Sequence, residues 1–127
     1  MPVLLAICRA LLYGRVMDTD EITIEEFSRL DLRIGTIREV VPHPNADRLL
    51  VLQVDIGEAA PRQLVAGIRA AYDVRVLPGQ QVVVVANLKP ANLRGVESRG
   101  MLLAASDPEG LAVVAPGRRF TPGTKVK

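Results

Sequence analysis

The chain has 127 residues, 49% apolar and 24% charged, with a net charge of +2 at pH 7. That length and apolar content fit one folded domain and exclude a disordered chain, and no apolar run is long enough for a membrane-spanning helix. One cysteine (Cys8) and one histidine (His43) exclude an intrachain disulfide and a zinc site built from cysteines. Such a chain suits a reducing, cytoplasmic setting.

Residues 3–16 (VLLAICRALLYGRV) are apolar with Arg9 and Arg15 inside the run. A secretory signal carries its cations before the run, so a short helix is the expectation here. Residues 1–21 are set apart as an N-terminal extension, and 22–127 as the domain. Thr23 and Glu26 have the spacing of a capping box, with Ile22 and Phe27 at the positions of a hydrophobic staple. A short helix is therefore predicted, ending before Asp31.

The pattern then turns to strands. Leu32–Val41 begins with Leu32 and Ile34 on one face, and Ile37 has the opposite parity; an extra residue near Gly35 would explain the switch. Leu49–Ile56 alternates cleanly, Gln63–Ala66 makes a third strand, and Gln81–Ala86 is apolar throughout, the mark of burial on both sides. Between the last two, an Ala-Ala-Tyr segment predicts one helical turn before Pro78-Gly79. Met101–Ala105 is the fifth strand, and Leu111–Ala115 pairs back as a further one. The Pro/Gly-rich tail is expected to order by packing on the barrel or on a second subunit.

Five short strands with a helical insertion before the fourth predict an all-β fold, a Greek-key OB barrel with a short N-terminal helix and an extra C-terminal strand region. An immunoglobulin-like sandwich fits the irregular spacing less well.

The connection between the fourth and fifth strands is unusual. It runs for about fourteen residues from Asn87, where two to five would be ordinary. It holds Lys89, Arg94 and Arg99 against Glu97, with amides, Ser98 and two glycines. Long ordered loops on a rigid scaffold often bind, and these groups suit phosphate and sugar oxygens. Charge agrees: residues 18–30 carry five carboxylates against one arginine, and residues 87–127 seven cations against three carboxylates. That asymmetry points to a polyanion. Aromatic content is only 3%, too little to line a base-stacking groove, so RNA would be read by shape and backbone.

Catalytic signatures are missing: there is no phosphate-cradling glycine loop with lysine, no nucleophile elbow and no placed acid pair. His43 lacks a catalytic partner and is read as fixing the Pro42–Asp47 loop, with Asn45 and Asp47 in turn bonds. Glu97 either orients its neighbouring arginines or trims charge. The chain reads as a binder, not an enzyme, and needs no cofactor or metal.

Asp31-Leu32-Arg33-Ile34-Gly35, the run His43 to Leu49, Asn87-Leu88-Lys89-Pro90 and the run Arg94 to Leu103 resemble the tRNA-binding domain at the C-terminus of methionyl-tRNA synthetases. That domain also exists as a free-standing dimeric tRNA-binding protein. The resemblance runs from about Ile24 to Val126. It implies an OB barrel, a homodimer, and structure-specific tRNA binding without sequence selectivity, in cis or in trans to methionyl-tRNA synthetase. The contacts it implies are Asn87, Lys89, Arg94, Ser98 and Met101 on the loop and Arg33 on the adjacent strand. Arg99 stands where glutamine is common and adds a cation to that set. A peptide-binding, chaperone-like role on the same dimeric barrel is the alternative.

Overall fold

The structure is a computed structural model that describes residues 20–127; the helix expected over residues 3–16 lies outside them. Helix α1 (Ile24–Phe27) is followed by β1 (Leu32–Pro42), β2 (Leu50–Asp55), β3 (Arg62–Ala66), β4 (Gln81–Val85), β5 (Ala91–Leu93), β6 (Val96–Ser98), β7 (Met101–Leu102), β8 (Ala104–Asp107), β9 (Gly110–Val113) and β10 (Lys125–Val126). The main sheet has the order β3-β2-β1-β4-β7. β1 is long enough to pair twice: its first half holds β4 and its second half holds β2. The sheet curls until β3 meets the strands after β6, where the Arg99 N–H donates to the Gln63 carbonyl (2.9 Å). The result is a nearly closed five-stranded OB barrel, as the strand pattern predicted.

Two apolar cores explain the sequence of β4. Val82, Val84 and Ala86 fill the barrel with Ile37, Leu50, Leu52, Val54, Leu64 and Leu77. Val83 and Val85 face outward and join Leu32 and Ile34 under Phe27, Leu103, Phe120 and Val126. Gln81 clamps the tail onto this outer core: its amide donates to the Phe120 carbonyl (2.7 Å) and its Oε1 accepts from the Phe120 N–H (2.9 Å). β10 then occupies the edge of β1 that β2 leaves open, pairing Leu32 with Val126.

The same two cores correct the reading of β1. No residue is gained at Gly35. Leu32 and Ile34 face the outer core and Ile37 the inner one, so plain alternation suffices. Gly35 faces inward where space is shortest: a Cβ there would lie 2.6 Å from Val54 Cγ1 and 3.1 Å from Ile56 Cγ2 and Val84 Cγ2. The bulge comes later, at Arg38, between the Ile37–Val54 and Glu39–Gln53 pairs.

Three other expectations change in detail. The capping box forms, with the Thr23 N–H donating to Glu26 Oε1 (2.8 Å) and the Glu26 N–H to Thr23 Oγ1 (3.1 Å). The staple does not: Phe27 turns to the outer core and Ile22 remains 64% exposed. The segment before Pro78 makes successive turns, not a regular helix, and drops Ile68 and Leu77 into the barrel. The fifth strand is interrupted at Leu103, whose N–H still donates to the Val83 carbonyl (3.0 Å) while its side chain packs on the outer core.

Candidate nucleic-acid interface

The long connection after β4 is a built structure. Ala91 pairs with Ser98, Asn92 with Glu97 and Leu93 with Val96, making a hairpin whose two-residue turn is Arg94-Gly95. Both turn residues have positive φ, 55° for Arg94 and 94° for Gly95, as a tight hairpin of this hand requires. Glycine adopts this freely, but arginine does not. The turn is braced locally by the Gly95 N–H donating to Asn92 Oδ1 (2.9 Å). An arginine held in that conformation, exposed at the tip of a hairpin, is the kind of strain that clusters at functional sites.

The hairpin is fastened along its length. At its base, Ser98 Oγ accepts from the Val65 N–H (3.0 Å) and donates to the Gly100 carbonyl (3.0 Å). Gln63 Nε2 donates to the Glu97 carbonyl (2.8 Å). At its tip, His43 Nε2 donates to the Leu93 carbonyl (2.8 Å) and Asn45 Nδ2 to the Arg94 carbonyl (3.2 Å). The reading that His43 fixes its loop is thus extended to a second element.

These contacts sort the expected site residues. Lys89, Arg94 and Arg99 are exposed, and none forms a salt bridge among the described residues. Met101 is 47% exposed and shares with Lys89, Leu88 and Leu93 an apolar cleft of about 410 Å³ between the hairpin and β3. Ser98 does not belong with them. It is only 4% exposed, and its hydroxyl is taken up inside the protein. Asn87 is exposed, but its amide is occupied at both ends: Oδ1 accepts from the Asp31 N–H (2.9 Å) and Nδ2 donates to the Arg29 carbonyl (2.7 Å). It braces the entry to β1.

Arg33 is also engaged. Paired with Val84 across the sheet, it stands on the barrel-facing side, whereas Met101, paired with Val85, stands on the outer side. Its guanidinium grips Asp31 (Nε–Oδ1 3.0 Å, Nη2–Oδ2 3.0 Å), and Lys125 reaches the same carboxylate (3.3 Å). Arg33, with help from Lys125, holds the Asp31 carboxyl below its usual range, against the opposing effect of burial. Glu97, expected beside Arg94 and Arg99, forms no ion pair with either.

The sequence family described as "Putative tRNA binding domain" matches residues 32–125. The chain belongs to this family. A methionine–tRNA ligase of Thermococcus kodakarensis is 50% identical over 106 residues, covering 84% of this chain and 14% of the ligase. The chain therefore spans about a seventh of the length of the curated relatives it matches. Among solved structures, a MetRS-related protein from Pyrococcus horikoshii superposes with a TM-score of 0.78 at 27% identity, covering 86% of this chain and all of that one. The chaperone CsaA of Bacillus anthracis gives 0.76 at 30% identity, covering 85% and 100%.

In this tRNA-binding-domain chain the structure also reveals residues that the sequence pattern did not single out. Arg62 reaches from β3 to the Arg99 carbonyl (3.1 Å) and to the Ala86 carbonyl, while Glu58 holds its other nitrogen (2.6 Å). It clasps both ends of the hairpin connection. Arg48 and Arg69 lie beside the loop that carries the tip: Arg69 donates to the Asp47 carbonyl (3.3 Å), and Arg48 lines a cleft with Arg94 and Asn45. Arg48 lies within the run His43 to Leu49 but was given no role there, and Arg69 carried no sequence signal beyond its charge.

Proposed function

We propose that this domain binds tRNA through the β5–β6 hairpin, reading folded shape and sugar–phosphate backbone and not base sequence. The observation that carries the reading is the strained, exposed Arg94 at the tip of a fastened hairpin whose cations form no salt bridge among the described residues. Lys89 and Arg99 stand at the base of that hairpin, about 17 Å from the tip at the rise of an extended strand. Arg48 and Arg69 extend the cationic surface beyond the tip. Met101 supplies an apolar contact in the adjoining cleft.

The fate of the aromatic residues supports recognition by shape. Tyr72 accepts from the Val113 N–H (2.9 Å), and Phe27 and Phe120 pack on the outer core, with Arg118 over the Phe120 ring (4.1 Å). None of these rings is offered to a splayed base. In this reading the protein works in the cytoplasm as a homodimer, alone or alongside methionyl-tRNA synthetase. A cleft of about 430 Å³ on the outer core, lined by Ile34, Val83, Ala115, Phe120 and Val126, supports a symmetric partner there. A monomeric mass in light scattering at micromolar concentration counts against the dimer.

Filter binding tests the main reading: unfractionated tRNA should outcompete single-stranded DNA of equal length. Changing Lys89, Arg94 and Arg99 together to alanine should lower affinity and flatten the slope of log K against log salt by roughly 2 to 3 units. Equal competition argues against recognition by shape, and an unchanged slope removes the hairpin from the site. A chaperone-like reading draws on the apolar cleft beside Met101 and the likeness to CsaA; retention of an unfolded client without co-purifying tRNA would favour it.

A further inference from the structure

We propose that His43 is the positioning residue that sets the attitude of the basic hairpin, through a neutral imidazole that one added proton would unlatch. The imidazole is 4% exposed. The Asn45 N–H points at its Nδ1 (2.9 Å), and a backbone N–H only donates. Nδ1 is therefore the unprotonated nitrogen, and Nε2 carries the hydrogen that goes to the Leu93 carbonyl (2.8 Å). Both ring nitrogens are filled, one by the ring's own loop and one by β5. The loop is held in turn, since the His43 N–H donates to the Leu49 carbonyl (3.1 Å) at the entry to β2. The imidazole thus couples the barrel wall to the residue before Arg94.

A second proton has one place to go, Nδ1, where it must displace the Asn45 N–H. It would also put a positive charge on a ring that is buried. The charged side chains on the surrounding elements are Arg94 and Glu97 on the hairpin, Asp47 and Arg48 on the histidine's own loop, and Arg69 beyond it; none forms a salt bridge with His43. Losing the Asn45 bond frees the loop that also anchors the Arg94 carbonyl through Asn45 Nδ2. An imidazole released to water takes up a proton between pH 5 and 8, and this chain has one histidine.

The latch is read without RNA, and its consequence rests on the RNA reading above. Hydrogen–deuterium exchange of the full-length protein is compared at pH 7.5 and 5.5 after normalising for chemical exchange. Residues 91–98 should open about 2- to 10-fold more at the lower pH, the factor expected for one lost hydrogen bond, with β1–β4 unchanged. In His43→Gln, which cannot take up the proton, the difference should vanish. Histidine nitrogen shifts of the wild-type protein at pH 7.5 should report the neutral Nε2–H form, whatever the variant's stability. Protection that ignores pH, a pH effect that survives in His43→Gln, or an Nδ1–H form overturns the latch. In the same window the Kd for unfractionated tRNA should rise by a similar factor. A hairpin that loosens with the Kd unmoved refutes its positioning role and places the RNA elsewhere, while leaving the latch itself established.

Discussion

Replacing Arg94 with asparagine should strengthen the fold and weaken RNA binding at once. Arg94 has φ 55° in a two-residue turn beside Gly95 at φ 94°. The left-handed conformation costs an ordinary L residue about 1–2 kcal/mol, whereas asparagine is among the residues best suited to it. Recovering half of that cost gives about 0.5–1 kcal/mol. For a domain of this size each kcal/mol moves Tm by about 4 °C, so the gain should be about 2–4 °C. The turn's own contacts survive the change, because Asn45 and His43 bind the Arg94 and Leu93 carbonyls and Asn92 binds the Gly95 N–H. Losing one phosphate contact should flatten the salt dependence of tRNA binding by about 0.7–0.9. Arg94→Lys is the control: it keeps the charge and the strained backbone, so neither Tm nor slope should shift in the manner of the asparagine variant. Differential scanning calorimetry and a salt series of filter-binding curves suffice. A lower Tm for Arg94→Asn refutes the strain argument, and an unchanged slope refutes the contact.

Ser98→Ala should lower stability by about 1–3 kcal/mol in urea denaturation, because the buried Val65 N–H loses its acceptor, while the salt slope for tRNA stays at the wild-type value; a flattened slope would return Ser98 to the RNA surface. Gly35→Ala should cost about 1–3 kcal/mol by overpacking, since its Cβ would meet Val54 Cγ1 at 2.6 Å; a melting temperature equal to wild type would contradict the packing. Asp31→Asn tests the ion cluster at the barrel end. Arg33 and Lys125 depress the folded-state carboxyl, so its contribution is present above the unfolded value of about 3.9 and is lost as pH falls through the lowered folded value. Denaturation curves between pH 7 and pH 3 should be flatter for Asp31→Asn than for wild type; parallel curves would remove Asp31 from the acid response.

The strands of the barrel were legible because alternation is a local signal. β1, β2, β3 and β4 lie within one or two residues of their expected bounds. The unbroken apolar run of β4 correctly announced burial on both sides, and Thr23 and Glu26 announced their capping box. The phase of β1 was misread at Gly35 because a second core outside the barrel was not visible in the pattern. The hairpin inside the long connection was missed for a related reason: Ala91–Leu93 and Val96–Ser98 are three residues each, too short for periodicity to register.

Local order and charge, then, were settled by the chain itself: where the barrel strands run, where the short helix is capped, and that a basic, polar loop follows β4. The tertiary structure alone decided which of that loop's groups remain available. Ser98 finds the Val65 N–H 33 positions away and Asn87 the Asp31 N–H 56 positions away, so both are spent on the fold, while Lys89, Arg94 and Arg99 are left to solvent. Alternation sorts side chains into two faces, but only the packing of the hairpin against β3 determines which face is covered, and that depends on groups far apart in sequence.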